Sequence, residues 1–241
     1  MLLGAIGITI MLAILISAAR MLKNGKNNRF TGAVQWVFEG MYSTIHQIVP
    51  DKRMAKSITP LALTIFFTVL FTYWMSIMPG VGTIKVGEAD LFRSLPTDLN
   101  FTTAIAIITM VAVQFYALKY HGFFGNAGRY LKNPLKDPIG AFEGILEVIG
   151  ELSRLVALSF RLFGNAFAGE VLLMVVGLLS GYFASLSLPF FMAFELFIGF
   201  IQAYVFFMLT LIFASLATQS HGGGHTSDDH SSANKKAVAA E

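Results

Sequence analysis

A single arginine, Arg161, lies in the middle of the apolar stretch LVALSFRLFGNAFAGEVLLMVVGLL. A guanidinium deep in a membrane helix costs about 3 to 15 kcal/mol, and arginine keeps its proton at any accessible pH. It is therefore a fixed positive charge that needs a negative partner and cannot itself carry protons. Asn165 and Glu170 lie within nine residues of it, and on its N-terminal side the same helical segment carries Glu143, Glu147, Glu151 and Arg154. A polar file at membrane depth predicts that ions or protons move here.

Helical geometry sorts these side chains into two opposite faces. At about 100° per residue, one face lies within about 40° of Arg161. It holds Glu143, Glu147, Gly150, Arg154, Ala157, Asn165 and Ala168. Small residues among the charged ones would let a partner helix approach closely. Glu170 falls about 180° away and must serve a second aqueous space. On the next apolar segment Glu195, Gly199 and Gln202 form one stripe, with Glu195 expected to face Glu170.

Each of these side chains also has a purely structural interpretation. Arg161 could belong to an ion pair that fixes helix packing, and Glu195 could be a protonated core carboxyl bonded to backbone. Gln202 could join two helices without touching an ion. Asp98 follows Pro96 and Thr97, and its position alone favours helix capping over transport. A solvated helix start near the cytoplasm could explain Glu143, Glu147, Glu151 and Arg154.

The composition places this chain among integral membrane proteins. Of its 241 residues, 55% are hydrophobic and only 13% are charged, and the mean hydropathy is +0.67, which ordinary soluble domains do not show. Cysteine is absent, which removes disulfides, thiolate catalysis and cysteine metal sites. The sequence has no nucleotide-binding loop and no catalytic triad. We therefore expect no catalytic site, no cofactor and no nucleic-acid partner.

The apolar segments predict an all-α fold of about five membrane helices plus one amphipathic interfacial helix. The membrane helices are expected at about 2–21, 58–78, 101–120, 139–180 and 184–217, and the interfacial helix at about 30–49. The last two would reach roughly 60 and 50 Å across a hydrocarbon core of about 30 Å. Either each breaks into two short spans or both are strongly tilted. The segment 139–180 has no internal proline and no polar turn of loop length, which favours tilt.

The charges of the connections predict the orientation of the chain. The connection after the first helix is rich in lysine and arginine and should be cytoplasmic, whereas the next has no positive excess. The N-terminus is then outside and the C-terminus inside. Residues 1–219 form one transmembrane domain, and residues 220–241 a disordered cytoplasmic tail. Its histidines, His221, His225 and His230, have no spacing that fixes a metal geometry, so no metal is expected.

Four sequence strings resemble the ion-translocating subunit a of F-type ATP synthases, over nearly the whole chain up to about Gln219. They are ELSRLVALSFRLFGNAFAGEVLL, LPFFMAFELFIGFIQAYVFFMLTLIFASLA, MPGVGTI and LFRSLPTDLNFTTAIAI. The resemblance implies that Arg161 faces the rotor ring of c subunits. It also implies ion-translocation roles for Asn165, Glu170, Glu195 and Gln202, an exit-side role for Glu147, and an outer half-channel lined by Asp98 and Asn100.

As a whole, the resemblance implies that the chain is a proton-translocating stator subunit with two offset half-channels. Its partners would be the c-ring, the peripheral-stalk b subunits, membrane lipid and the translocated H⁺, or Na⁺ in its place. The implied location is a bacterial inner membrane. The sequence departs from the family at Tyr73 and Ser76, where the family commonly has Asn ahead of Gly-Leu-x-Pro. We expect this departure to affect local packing and not the polar file.

Two other functions would fit an apolar chain with few charges. A self-contained channel or secondary transporter would need both gates in one chain, and such transporters often show paired repeats and broken helices, neither of which is evident. A structural membrane scaffold would leave the ionisable groups inside the apolar segments unexplained.

Overall fold

A computed structural model of the chain describes residues 2–23, 29–49, 51–78, 85–86, 89–90, 94–130 and 138–218. Within these ranges the chain forms α1 Leu2–Lys23, α2 Arg29–Ile48, α3 Lys52–Ser76, α4 Leu99–Tyr130, α5 Pro138–Ser180 and α6 Ala184–Thr218. The predicted all-α membrane architecture is confirmed. The predicted tail and its three histidines lie outside the described residues.

The described residues contain four stretches that are long and apolar enough to cross a membrane. Three lie in single helices, at Gly4–Met21, Lys52–Ser76 and Leu99–Lys119, and the fourth runs from Gly144 to Leu216. This fourth stretch combines α5 and α6, which the sequence predicts as separate segments. A 3₁₀ turn, Gly181–Phe183, joins the two helices. Gly181 has a φ of +48° there, a backbone conformation that glycine adopts without strain.

Helix α3 begins earlier and α4 ends later than hydropathy predicts. The side chain of Asp51 accepts a hydrogen bond from the backbone N–H of Arg53 at 2.9 Å and so caps α3. The first turns of α3 carry lysine and arginine, which an apolar-run criterion excludes. The chain also forms a minimal antiparallel ladder, in which β1 Lys85–Val86 pairs with β2 Ala89–Asp90, and which the sequence does not predict.

The core lies where α3 packs against α6. Phe66 of α3 and Phe206 and Phe207 of α6 are almost completely buried, and the rings of Phe66 and Phe207 meet edge to face at 6.1 Å. Helix α1 packs on the other side of α3, α2 packs against α1 and α3, and α4 packs against α5 and α6. This arrangement fixes α5 and α6, which carry most of the predicted site residues.

Candidate functional site: the two flanks of helix α5

Helix α5 is continuous from Pro138 to Ser180, about 65 Å long at 1.5 Å per residue. A buried stripe formed by Leu158, Leu162, Ala166 and Gly169 runs along it. Arg161 and Glu170 lie on opposite sides of this stripe, and both side chains are exposed. We call these two sides the Arg161 flank and the Glu170 flank. The helix therefore has the two opposed polar positions that its sequence predicts.

The Arg161 side chain is exposed next to large apolar side chains of α5. Phe160 and Phe167, on neighbouring turns, are 56% and 52% exposed. Within the part of the chain that the structure describes, Arg161 forms no ion pair and no hydrogen bond through its side chain. A fixed charge on a helix of membrane length therefore lacks a counter-charge from the described residues of its own chain.

Asn165, one turn after Arg161, joins α5 to α6. Its side-chain Nδ2 donates a hydrogen bond to Oε1 of Gln202 at 2.5 Å. Gln202 is 2% exposed, and its Nε2 is buried without a hydrogen-bond partner among the described residues. A buried amide donor that finds no protein partner is commonly satisfied by water. The pair thus combines the predicted helix-joining role of Gln202 with a buried amide donor that has no partner among the described residues.

Glu195 of α6 lies at a junction of three helices. It is 3% exposed, and its Oε1 accepts a hydrogen bond from the Tyr73 hydroxyl of α3 at 2.6 Å. The carboxyl packs directly on the backbone of α5 at Gly169, where a Cβ atom would overlap Oε1. The structure therefore places Glu195 against the residue next to Glu170, while the Glu170 side chain is exposed.

Tyr73 is the residue of this site that sequence reasoning missed. Its departure from the family pattern was expected to affect packing only, and that expectation was wrong, because its hydroxyl bonds an ionisable side chain. The only local signal for a polar contact was the tyrosine itself, which lies in an apolar helix. A buried tyrosine hydroxyl usually needs a hydrogen-bond partner. The identity of that partner depends on how α3 packs against α6.

The N-terminal half of α5 carries the remaining polar side chains. Arg154 is half-buried, and its guanidinium lies 5.3 Å from the centre of the Phe213 ring, a cation–π contact to α6. Glu151 accepts a hydrogen bond from Nε2 of Gln114 on α4, and Glu147 is half-buried. Glu143 lies within α5, but its side chain is outside the described part.

Asp98 lies at the start of α4, where its Oδ1 accepts a hydrogen bond from the backbone N–H of Asn100 at 2.9 Å. This is the geometry of a helix N-cap. The Asp98 side chain is half-buried and that of Asn100 is exposed. One turn further along α4, the hydroxyl of Thr103 lies 2.8 Å from that of Ser159 on α5. Among the described residues, no cluster of three or more His, Asp or Glu side chains could hold a metal ion.

Comparison with known proteins extends over nearly the whole chain. The family described as ATP synthase A chain matches residues 1–215. The chain is similar to ATP synthase subunit a of Mycobacterium bovis, with 32% identity over 194 residues, covering 78% of this chain and 75% of the relative. It is also similar to subunit a of Buchnera aphidicola, with 28% identity over 218 residues, 87% of this chain and 78% of that protein. Subunit a of Marinomonas sp. is 34% identical over 181 residues, covering 69% and 64% of the two chains.

Proposed function

We propose separate roles in ion translocation for the two flanks of α5 in this chain, which belongs to the ATP synthase A chain family. As a member of that family, the chain is an integral membrane subunit of an ATP synthase. It belongs to the ion-translocating Fo sector and not to the catalytic part of the complex.

The Arg161 flank faces the ring of c subunits. The observation that carries this proposal is the exposed Arg161 guanidinium, which has no counter-charge among the described residues. Leaving such a group against lipid would cost about 3 to 15 kcal/mol. A carboxylate on a neighbouring c subunit would remove much of that cost, and the small Ala157 and Ala168 on the same flank allow a helix to approach.

Two offset half-channels meet only through the moving ring. Protons enter from outside past Asp98 and Asn100, pass Glu195 and Glu170, and neutralise a carboxylate of the c-ring. A neutral carboxyl can turn into lipid, whereas an ionised one cannot without a large cost. After a turn of the ring, Arg161 favours the ionised carboxylate, lowers its pKa and releases the proton.

The released proton leaves towards Glu147 and Glu143 at the cytoplasmic side. Arg161 also prevents a direct leak between the half-channels, because a proton would have to pass a permanent positive charge. The hydrogen bond between Asn165 and Gln202 supports this role by fixing α5 against α6 beside the arginine. Each proton that crosses 100 mV supplies about 2.3 kcal/mol, so several are needed for each ATP formed elsewhere in the complex.

The same function assigns the chain further partners, an orientation in the membrane and a transported ion. The peripheral-stalk b subunits hold it against the turning ring, and its N-terminus lies outside a bacterial inner membrane with its C-terminus in the cytoplasm. Residues 1–219 form the transmembrane domain and 220–241 a cytoplasmic tail. The transported ion is H⁺. Measuring ATP synthesis in vesicles with sodium varied at fixed pH tests this identity, because a Na⁺-coupled complex would lose activity without sodium.

Replacing Arg161 with alanine is the experiment that tests the main claim. The assembled complex should lose ATP-driven proton pumping, measured with a pH-sensitive dye in vesicles, while subunit content stays normal. Arg154→Ala is the matched control, since Arg154 lies on the same helix face but contacts Phe213 of its own chain. It should keep coupled pumping. Coupled pumping by Arg161→Ala at the level of this control would refute the proposal.

Two further measurements test the route of the protons. Glu170→Gln should slow passive proton flux through Fo, and an unchanged flux would remove Glu170 from the entry path. The isolated chain should conduct poorly in vesicles, since the half-channels join only through the ring. Robust conductance of the isolated protein would favour a self-contained channel instead.

A further inference from the structure

We propose that Tyr73 is a positioning residue for proton exchange at Glu195. Its hydroxyl holds Oε1 of the carboxyl in place and leaves Oε2 as the oxygen that takes up and releases the proton. This inference rests on the proposed role of Glu195 in proton entry, and it adds a residue from a third helix, α3, to that path.

The contact between the two side chains is short and buried. Tyr73 is completely buried and Glu195 is 3% exposed, and 2.6 Å separate the phenol oxygen from Oε1. A hydrogen bond in which one partner can be charged is stronger than a neutral one. Burying a hydroxyl without a partner would also carry a penalty. Both effects keep the Glu195 carboxyl hydrogen-bonded to the Tyr73 hydroxyl.

Two glycines make room for this arrangement on either side. A Cβ atom on Gly199 of α6 would lie 3.0 Å from Cε1 and Cγ of the Tyr73 ring, too close for an ordinary contact, and would overlap Cδ1. The ring therefore packs on the α6 backbone one turn beyond Glu195. A Cβ atom on Gly169 of α5 would lie 2.7 Å from Oε2 and overlap Oε1. The carboxyl is thus confined between α5 and the phenol.

A neighbouring bond keeps α3 in register with α6. Nε1 of Trp74 donates a hydrogen bond to the backbone oxygen of Leu196 at 3.1 Å. Consecutive residues of α3 thereby contact consecutive residues of α6. Because this second bond does not involve the Tyr73 hydroxyl, the two helices stay aligned when the hydroxyl is removed.

The two carboxyl oxygens have different surroundings. Oε1 accepts the phenol hydrogen, whereas Oε2 forms no hydrogen bond with any described residue. A phenol in water loses its proton only near pH 10, so Tyr73 donates a hydrogen bond and keeps its proton. A hydronium ion transfers a proton to the ionised carboxylate, so that one of its O–H bonds breaks, an O–H bond forms at Oε2 and a neutral water remains. The carboxyl becomes ionised again when this O–H bond breaks and the proton passes to the carboxylate of Glu170. The hydrogen bond at Oε1 prevents the carboxyl from rotating away between these events.

The test compares two tyrosines in the assembled complex. Tyr73→Phe keeps the ring on Gly199 and removes the hydroxyl. The control is Tyr116→Phe, because the Tyr116 hydroxyl also joins two helices. It donates a hydrogen bond from α4 to the backbone oxygen of Ser57 on α3 at 2.8 Å. We expect passive proton flux per assembled complex to fall about tenfold for Tyr73→Phe, as loss of one hydrogen bond to an ionisable group allows. Tyr116→Phe should stay near the unmodified level.

Infrared spectroscopy supplies a readout that a packing defect would not change. The carboxyl C=O band that disappears in Glu195→Gln identifies Glu195, and this band should shift in Tyr73→Phe but not in Tyr116→Phe. An unshifted band with normal flux would overturn the inference. So would failure of Tyr73→Phe to assemble while Tyr116→Phe assembles, because the hydroxyl would then serve folding and not positioning.

The Glu195→Gln variant separates this inference from the proposed function. If its proton flux is normal, the entry route through Glu195 is wrong and the inference falls with it. If its flux is reduced while Tyr73→Phe behaves like Tyr116→Phe, the route stands and only the role of Tyr73 is rejected.

Discussion

Replacing Gly169 with alanine should displace the Glu195 carboxyl although no functional group is removed. The added Cβ would overlap Oε1 and lie 2.7 Å from Oε2, whereas ordinary contacts begin at 3.4 Å. To reach an ordinary contact distance, Oε2 must move away by at least about 0.7 Å (3.4 minus 2.7), and Oε1 by more. The alternative is that α5 and α6 separate.

The energetic terms of this substitution have opposite signs. Overpacking a buried contact costs about 1 to 3 kcal/mol, whereas alanine is favoured over glycine inside a helix by about 1 kcal/mol. The net cost to folding is therefore up to about 2 kcal/mol. The displaced carboxyl should separately raise the barrier to proton exchange, and a rise of about 1.4 kcal/mol slows a step about tenfold. We expect passive proton flux through Fo to fall by about that factor.

The assay is dye-detected proton uptake into vesicles that contain the assembled complex, driven by a potassium diffusion potential. Gly177→Ala is the matched control on the same helix, since its Cβ would meet Leu188 at 3.7 Å, an ordinary contact. It should conduct as the unmodified complex does. Equal flux in Gly169→Ala and Gly177→Ala would refute the argument that close packing at Gly169 positions the carboxyl.

Two further predictions concern α4. Asp98→Asn should keep the helix cap, because asparagine caps as well as aspartate does, whereas Asp98→Ala should cost about 1 kcal/mol in thermal stability. If Asp98 also takes part in proton entry, Asp98→Asn will lower passive proton flux without changing the melting temperature. Normal flux in this variant would mean that Asp98 only caps the helix. Ser159→Ala removes the hydroxyl contact with Thr103 and should destabilise the α4–α5 pair by about 0.6 kcal/mol, measured by unfolding in mixed detergent micelles. Reduced proton flux in that variant would contradict a purely structural role.

The sequence predicts well those features that depend on a single helix. Arg161 and Glu170 are nine residues apart, so any regular helix places them on opposite sides. The stretch 139–180 lacks proline and loop signals, and α5 is continuous there. These features follow from local periodicity, which needs no knowledge of neighbouring helices.

The contacts between helices could not be predicted in the same way. Tyr73 and Glu195 lie 122 residues apart, and their meeting depends on the rotation and register of α3 against α6. The pairing of Asn165 with Gln202 likewise requires the α5–α6 register. In apolar helices nearly every face is compatible with burial or with lipid, so hydropathy does not select among these registers.

Substitutions at Gly169 and Gly199, the two glycines that confine the Tyr73–Glu195 pair, should cause the same loss of proton conduction. The glycines belong to different helices, 30 positions apart, and neither bears a group that can bind a proton. A selection for loss of conduction would still recover substitutions at both. A smaller side chain at Tyr73 should relieve the collision caused by a bulkier residue at Gly199 but should not restore full conduction, because it also lacks the hydroxyl that bonds Glu195. Exchanging helical glycines for alanine usually stabilises a helix, but at these two positions it should cost packing energy and lower proton flux.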